Sequence, residues 1–193
     1  MQEPLERYFG ALAGLIAGAT VSDADGQALS LQQGCERIQA KVRTAHDRGN
    51  KVMLIGNGGS AAISSHLAND FVRTAGLRAQ AFNDPAALTC FGNDFGYETV
   101  FARQLEFHAH AGDVLIAISS SGRSPNILAA VASARSRGCD VITFSGFAAD
   151  SPLRRSGDIN YYVGSNEYGL VEIAHLALCH AIIDLAKDGG STR

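Results

Sequence analysis

The sequence predicts an α/β protein built on a parallel β-sheet with helices on both faces, and three features lead there. Short apolar runs alternate with longer amphipathic stretches from residue 51 onward. Runs of this kind suit strands that are buried on both faces. Two of them lead directly into loops rich in glycine or serine that open helices. In such sheets ligands bind beyond the carboxyl ends of the strands, where the strand order switches.

The elements follow in order. Leu5, Tyr8, Phe9, Leu12, Leu15 and Ile16 recur at the three- and four-residue steps of an amphipathic helix. A polar break at residues 22–26 precedes a second helical stretch through Leu31, Cys35, Ile38 and Val42, ending near Gly49. Together these predict an N-terminal helical hairpin whose long apolar face calls for a partner chain. Residues 51–55 form the first buried strand, and Gly56-Asn57-Gly58-Gly59-Ser60 turns it into a helix over 61–74. Residues 79–82 suit a second strand, followed by helical stretches at 85–91 and 97–108. The strand at 113–118 passes through Ser119-Ser120-Ser121-Gly122-Arg123-Ser124 into a helix. That helix has Pro125 in its first position, where the missing N–H costs nothing. Strands at 140–144 and 159–163 and a helix over 170–187 close the chain. With no internal repeat, linker or low-complexity tract, one domain over residues 1–193 is expected.

Composition narrows the function. The 193 residues are 46% hydrophobic and 18% charged, as in a globular domain, and the net charge is -3. No basic run offers a phosphate-neutralising surface, so nucleic acid is not an expected partner. No apolar stretch reads as a membrane span, and the start Met1-Gln2-Glu3-Pro4 lacks a signal-peptide pattern. Cys35, Cys90, Cys139 and Cys179 lie far apart, which suits buried free thiols in a reducing cytoplasm.

The loops carry the chemistry. The glycine loop at 56–60 lets backbone approach a ligand, and the helix it opens offers unpaired N–H groups to an anion. A tight strand-to-helix turn would need the same glycines with no ligand at all. The serine loop says more. Ser119, Ser120, Ser121 and Ser124 stand within six residues, before a proline-started helix. Ser124 could simply cap that helix and the other serines fill a turn. Four hydroxyls exceed what a cap needs, and together with helix N–H groups they make a phosphate cradle without a lysine. His66 and Asp70 share one face of a helix. Glu172 and His180 lie roughly 80° apart around the last helix. On so apolar a helix both need polar company. His175, between them, reads equally as a core histidine.

In order and spacing, residues 56–60, His66, residues 92–96 (Gly-Asn-Asp-Phe-Gly), residues 118–124 and the closing Glu172, His175 and His180 resemble the phosphoheptose isomerase family. The resemblance covers most of the chain. It implies the SIS (sugar isomerase) fold, a flavodoxin-like five-stranded parallel sheet flanked by helices, assembled as a homotetramer through the helices of residues 1–48. It further implies a cytoplasmic aldose–ketose isomerase that converts sedoheptulose 7-phosphate to D-glycero-D-manno-heptose 7-phosphate in heptose biosynthesis. Ser60 and the loop with Ser119, Ser120, Ser121 and Ser124 would hold the phosphate. Asn57, Gly58, Asp94 and Glu172 would complete the substrate site. The catalytic pair falls on Asp70 and His180, and a zinc site on His66, Asp70, Glu172 and His180. Three departures stand out: Asp70 replaces the family's usual glutamate, Glu172 its glutamine, and Arg123 a smaller polar residue.

An isomerase of this kind moves a proton between adjacent carbons through an enediol, for which one carboxylate and one imidazole suffice. Two other readings stay open at this point. The altered residues at positions 70 and 172 would also suit an isomerase of another phosphosugar. A non-catalytic regulatory SIS protein of the replication-initiator-associating type is the third reading, although that relative lacks the acid and the final histidine present here.

Overall fold

A computed structural model describes residues 3–186. The expected sheet is present: β3 (Val52–Gly56), β4 (Ala79–Ala81), β5 (Val114–Ser119), β6 (Asp140–Gly146) and β7 (Ile159–Val163) pair in parallel. In space they run β7-β6-β5-β3-β4, the flavodoxin-like arrangement. The order switches between β3 and β5, whose register sets Gly56 opposite Ile118. The glycine and serine loops therefore leave the sheet side by side.

The strand pleat divides the core. Val52 and Leu54 of β3 face one side, with Ile116, Ile142 and Phe144, against α2 (Leu31–Asp47), α3 (Gly59–Arg73) and α7 (Tyr168–Leu185). Met53 and Ile55 face the other side, with Leu115 and Val141, against α5 (Val100–His108) and α6 (Pro125–Ser136). Burial on both faces is why these strands read as continuous apolar runs.

The N-terminal segment differs from expectation. Between α1 (Pro4–Ala17) and α2 the chain forms a small hairpin of β1 (Thr20–Asp23) and β2 (Ala28–Leu29), turning through Gly26 at φ 78°. Strand β1 adds antiparallel to β7, so the sheet has seven strands, five of them the parallel set. The Asp23 carboxylate accepts N–H bonds from Asp25 and Gln27 and so shapes the turn. Asp23 and its polar neighbours read as a helix break, yet they satisfy the open edge of β7. A capping box between Ser30 and Gln33 then starts α2.

Two further elements shift. Helix α4 (Pro85–Phe95) runs on through Asn93 and Asp94 and ends at Gly96, whose φ is 89°. Helix α7 begins at Tyr168, two residues earlier than expected, and the expected end at Lys187 lies outside the described residues. By length and composition α7 would pass for a membrane span, a feature the sequence reading did not register. Here it is a core helix, burying Val171, Ala174, His175, Leu178, Cys179 and Ile182 against the sheet and its neighbours. Cys35, Cys139 and Cys179 are buried free thiols as expected, but Cys90 is exposed.

Candidate active site

The glycine loop is shaped by one left-handed residue and one close approach. Gly58 sits at φ 53°, in the left-handed region that glycine favours, and is the N-cap of α3. At Gly59 a Cβ would meet the Glu172 carboxylate, which would have to move aside. The Glu172 carboxylate thus rests on the first turn of α3, where helix N–H groups favour negative charge.

Opposite lies the serine loop. Ser124 precedes α6 but makes no side-chain capping bond. Its hydroxyl instead lies 3.3 Å from that of Ser119, which also accepts the Gly122 N–H at 3.2 Å. The Ser121 hydroxyl accepts the Arg123 N–H at 3.3 Å. Ser120 is 4% exposed, and its hydroxyl has no protein partner. A buried hydroxyl left without a partner is costly and points to a ligand or water. Asn57, Gly58, Gly59, Ser60, Ser119, Ser120, Ser121, Ser124, Tyr168 and Glu172 enclose one pocket of about 220 Å³. Reading Ser124 as a plain helix cap therefore fails, and the four serines line a polar cavity. Arg123 does not join them: its guanidinium pairs with Asp150 at 2.7 Å on the surface.

Farther along the same two helices a second group forms. Helices α3 and α7 pack together, so His66 and Asp70 of one meet His180 of the other. The His66 and His180 Nε2 atoms are 3.0 Å apart. Asp70 Oδ2 lies 3.2 Å from His66 Nε2 and 3.6 Å from His180 Nδ1. Arg73 reaches Asp70 Oδ1 at 3.5 Å. Asp70 is 7% exposed, whereas the two imidazoles are more open to solvent. One ligand atom from each of His66, Asp70 and His180 lies within 4.8 Å of the others, a spacing that could hold a metal ion. Two imidazoles and a carboxylate suit a divalent transition ion such as zinc. From Ser60 to His66 the rise of α3 is about 9 Å, and from Glu172 to His180 that of α7 is about 12 Å. The serine-lined pocket and the carboxylate–imidazole cluster thus lie at successive places along the α3–α7 pair.

Most of the expected residues fall in one of these two places. Glu172 belongs to the pocket and lies outside the His66–Asp70–His180 group. Asp94 joins neither. It is exposed near the end of α4, where its carboxylate accepts from the Asn93 amide at 2.8 Å. His175 is fully buried. Its Nε2–H donates to the Ser145 carbonyl at 3.0 Å, and burial lowers its pKa to about 4 despite that bond. It is a neutral core group. Sequence reasoning missed Tyr168, which lines the pocket. It also missed Asn126 and Tyr97, which hold Asn57, because their partners come from distant elements.

Comparison with known proteins bears on the whole chain. The SIS domain family model matches residues 27–146, which include both loops. A phosphoheptose isomerase from Bradyrhizobium sp. is 41% identical over 164 residues, 82% of each protein. A phosphoheptose isomerase from Citrifermentans bemidjiense is 36% identical over 163 residues, 81% of this chain and 84% of that one. Among solved structures, the phosphoheptose isomerase of Neisseria gonorrhoeae superposes with a TM-score of 0.73 at 29% identity. That superposition covers 96% of this chain and all of the other. A family match across both loops, and relatives aligned over about four fifths of both sequences, make this chain a member of the SIS-domain family and, within it, of the phosphoheptose isomerases.

Proposed function

We propose that the protein is an aldose–ketose isomerase converting sedoheptulose 7-phosphate to D-glycero-D-manno-heptose 7-phosphate in heptose biosynthesis. The observation that carries this reading is the placing, along one pair of helices, of a serine-lined cavity and a carboxylate–imidazole cluster. Their separation along the helices, about 9 to 12 Å, suits an extended sugar phosphate held by the phosphate and reacting near the opposite terminus.

The phosphate enters the cavity, where Ser119, Ser120, Ser121 and Ser124 donate hydroxyl hydrogen bonds and the Ser60 end of α3 adds helix N–H groups. A dianion avoids the Glu172 carboxylate, so Glu172 faces sugar hydroxyls, from which it accepts hydrogen bonds. Binding so far from the reacting carbons supplies positioning rather than chemistry. Asp70 takes the proton from the carbon next to the carbonyl, and His180 serves the oxygens, donating to one as the enediol forms. Return of the proton to the neighbouring carbon, as His180 takes the proton from the other oxygen, forms the new carbonyl and completes the isomerisation.

His66, Asp70 and His180 would hold a zinc ion, whereas Glu172, expected as a fourth ligand, lies against Gly59 about 12 Å along α7 from His180. When bound, the ion would supply Lewis-acid polarisation of the carbonyl. A homotetramer in the cytoplasm fits the same reading, with a single domain whose first two helices serve the assembly. Helix α1 buries none of its residues within the chain and leaves Leu5 65% and Phe9 57% exposed.

The test is turnover of sedoheptulose 7-phosphate by the wild type and by Asp70→Asn and His180→Ala. Both substitutions are expected to abolish turnover while the assembly stays intact. Full activity in either would remove that residue from the chemistry. A wild type inert to this sugar but active on another ketose phosphate would change the substrate and keep the mechanism.

A further inference from the structure

Asn57 lines the ligand pocket, and its side chain is held from behind. Its Nδ2 donates to Oδ1 of Asn126 at 2.9 Å, and its Oδ1 accepts from Nδ2 of Asn126 at 2.9 Å. The Tyr97 hydroxyl donates to the same Oδ1 at 3.1 Å. The two carboxamides form a closed, reciprocal pair. One N–H of the Asn57 side-chain amide is then left without a partner among the described residues.

Asn126 follows Pro125 in the first turn of α6 and is 2% exposed, surrounded by core residues such as Ile127. Packing alone would be served there by an aliphatic side chain, and a buried carboxamide costs stability unless it is paired. Among the described residues its side-chain hydrogen bonds all go to Asn57. Tyr97 comes from a third element, the 3₁₀ turn Tyr97–Thr99. It is 57% exposed, so nothing in the core requires its hydroxyl. Three distant segments thus converge on one amide at the pocket wall.

We propose that Asn126 and Tyr97 are positioning residues that fix the Asn57 amide, so that its free N–H is aimed at an oxygen of the bound sugar phosphate. The pair also ties the glycine loop to the serine loop, so the two halves of the pocket keep their spacing. This rests on the reading of the pocket as the substrate site.

The test uses the full-length protein and its variants Asn126→Leu, Tyr97→Phe, Asn57→Ala and the Asn57→Ala/Asn126→Leu double. Each is assayed on sedoheptulose 7-phosphate, and a crystal structure of Asn126→Leu is determined. Asn126→Leu is expected to lower kcat/KM about tenfold, the scale of one lost oriented hydrogen bond. Tyr97→Phe should lower it about threefold. In the Asn57→Ala background Asn126→Leu should cost nothing further, because the contact it positions is already gone. In the crystal the Asn57 amide should be rotated from its place. Additive losses in the double variant, or an unmoved Asn57 with undiminished kcat/KM, would overturn the proposal. If Asn126→Leu does not fold, the solvent-exposed Tyr97→Phe still decides: unchanged kcat/KM there overturns the brace. A wild type inert to this sugar would count against the proposed reaction alone, since the position of Asn57 in Asn126→Leu judges the brace independently.

Discussion

His175 offers a prediction whose size can be worked from its surroundings. It is fully buried, edge-on to Phe144 with ring centroids 5.9 Å apart. Since Nε2–H donates to the Ser145 carbonyl, the buried Nδ1 carries a lone pair with no partner. Burial sets the folded pKa near 4, against an ordinary value of 6.5. The folded-state value is depressed, so the unfolded chain binds the extra proton between these limits. The contribution is complete above about pH 6.5 and is lost as pH falls toward 4. At pH 5 the loss amounts to roughly 2 kcal/mol, and below both values it approaches roughly 3 kcal/mol. His175→Gln keeps a donor and does not titrate. Urea unfolding of both proteins at pH 7 and pH 5, at one protein concentration, measures the difference. The wild type should lose roughly 2 kcal/mol more than the variant between the two pH values. Equal losses would refute the picture of a neutral core imidazole.

Three further outcomes follow from the same structure. Ser120→Ala removes the unpartnered hydroxyl from the pocket, and should raise KM for the sugar phosphate about tenfold while stability is unchanged or slightly improved; an unchanged KM would place the phosphate elsewhere. Gly59→Ala forces the Glu172 carboxylate off the first turn of α3; kcat/KM should fall by about tenfold or more with the fold retained, as judged by circular dichroism. Asp113 accepts from Lys51 Nζ at 2.6 Å and from the N–H groups of Lys51 and His110 at 2.9 Å each. Burial opposes its ionisation, yet these bonds outweigh that and hold its pKa below the ordinary carboxylate value. Its stability contribution is present above about pH 3.8 and lost as pH falls through the lowered folded value. Asp113→Ala should cost roughly 3 kcal/mol or more at pH 7, read by urea unfolding, because it leaves Lys51 unpaired.

Some of this was legible in the sequence for identifiable reasons. Strands β3 and β5 are buried on both faces, and burial of that kind forces an apolar run that needs no partner to be recognised. His66 and Asp70 are neighbours by helix geometry alone, so half of the acid–base cluster could be placed without tertiary knowledge. The hairpin of β1 and β2 was not legible. Its strands are short and mostly unburied, and β1 exists because β7 offers it an edge. The place of Asp94 was also hidden, since the continuation of α4 through residues 92–95 carries it away from the pocket of its own chain. Asn126 looked like an ordinary first-turn residue, and only the approach of the glycine loop gives it a partner. Glu172 could be assigned to both the pocket and the metal set on sequence grounds. Helix rise separates it from His180 and leaves it against Gly59.

The central claim is that a carboxylate and an imidazole pass a substrate proton between adjacent carbons through an enediol. Proton NMR of sedoheptulose 7-phosphate incubated with the wild type in deuterated water, with and without added zinc, tests it most directly. The account predicts an aldoheptose phosphate carrying solvent deuterium at carbon 2, and no such product with Asp70→Asn. Product formed without deuterium even at early conversion, or product formed equally well by Asp70→Asn, would contradict it.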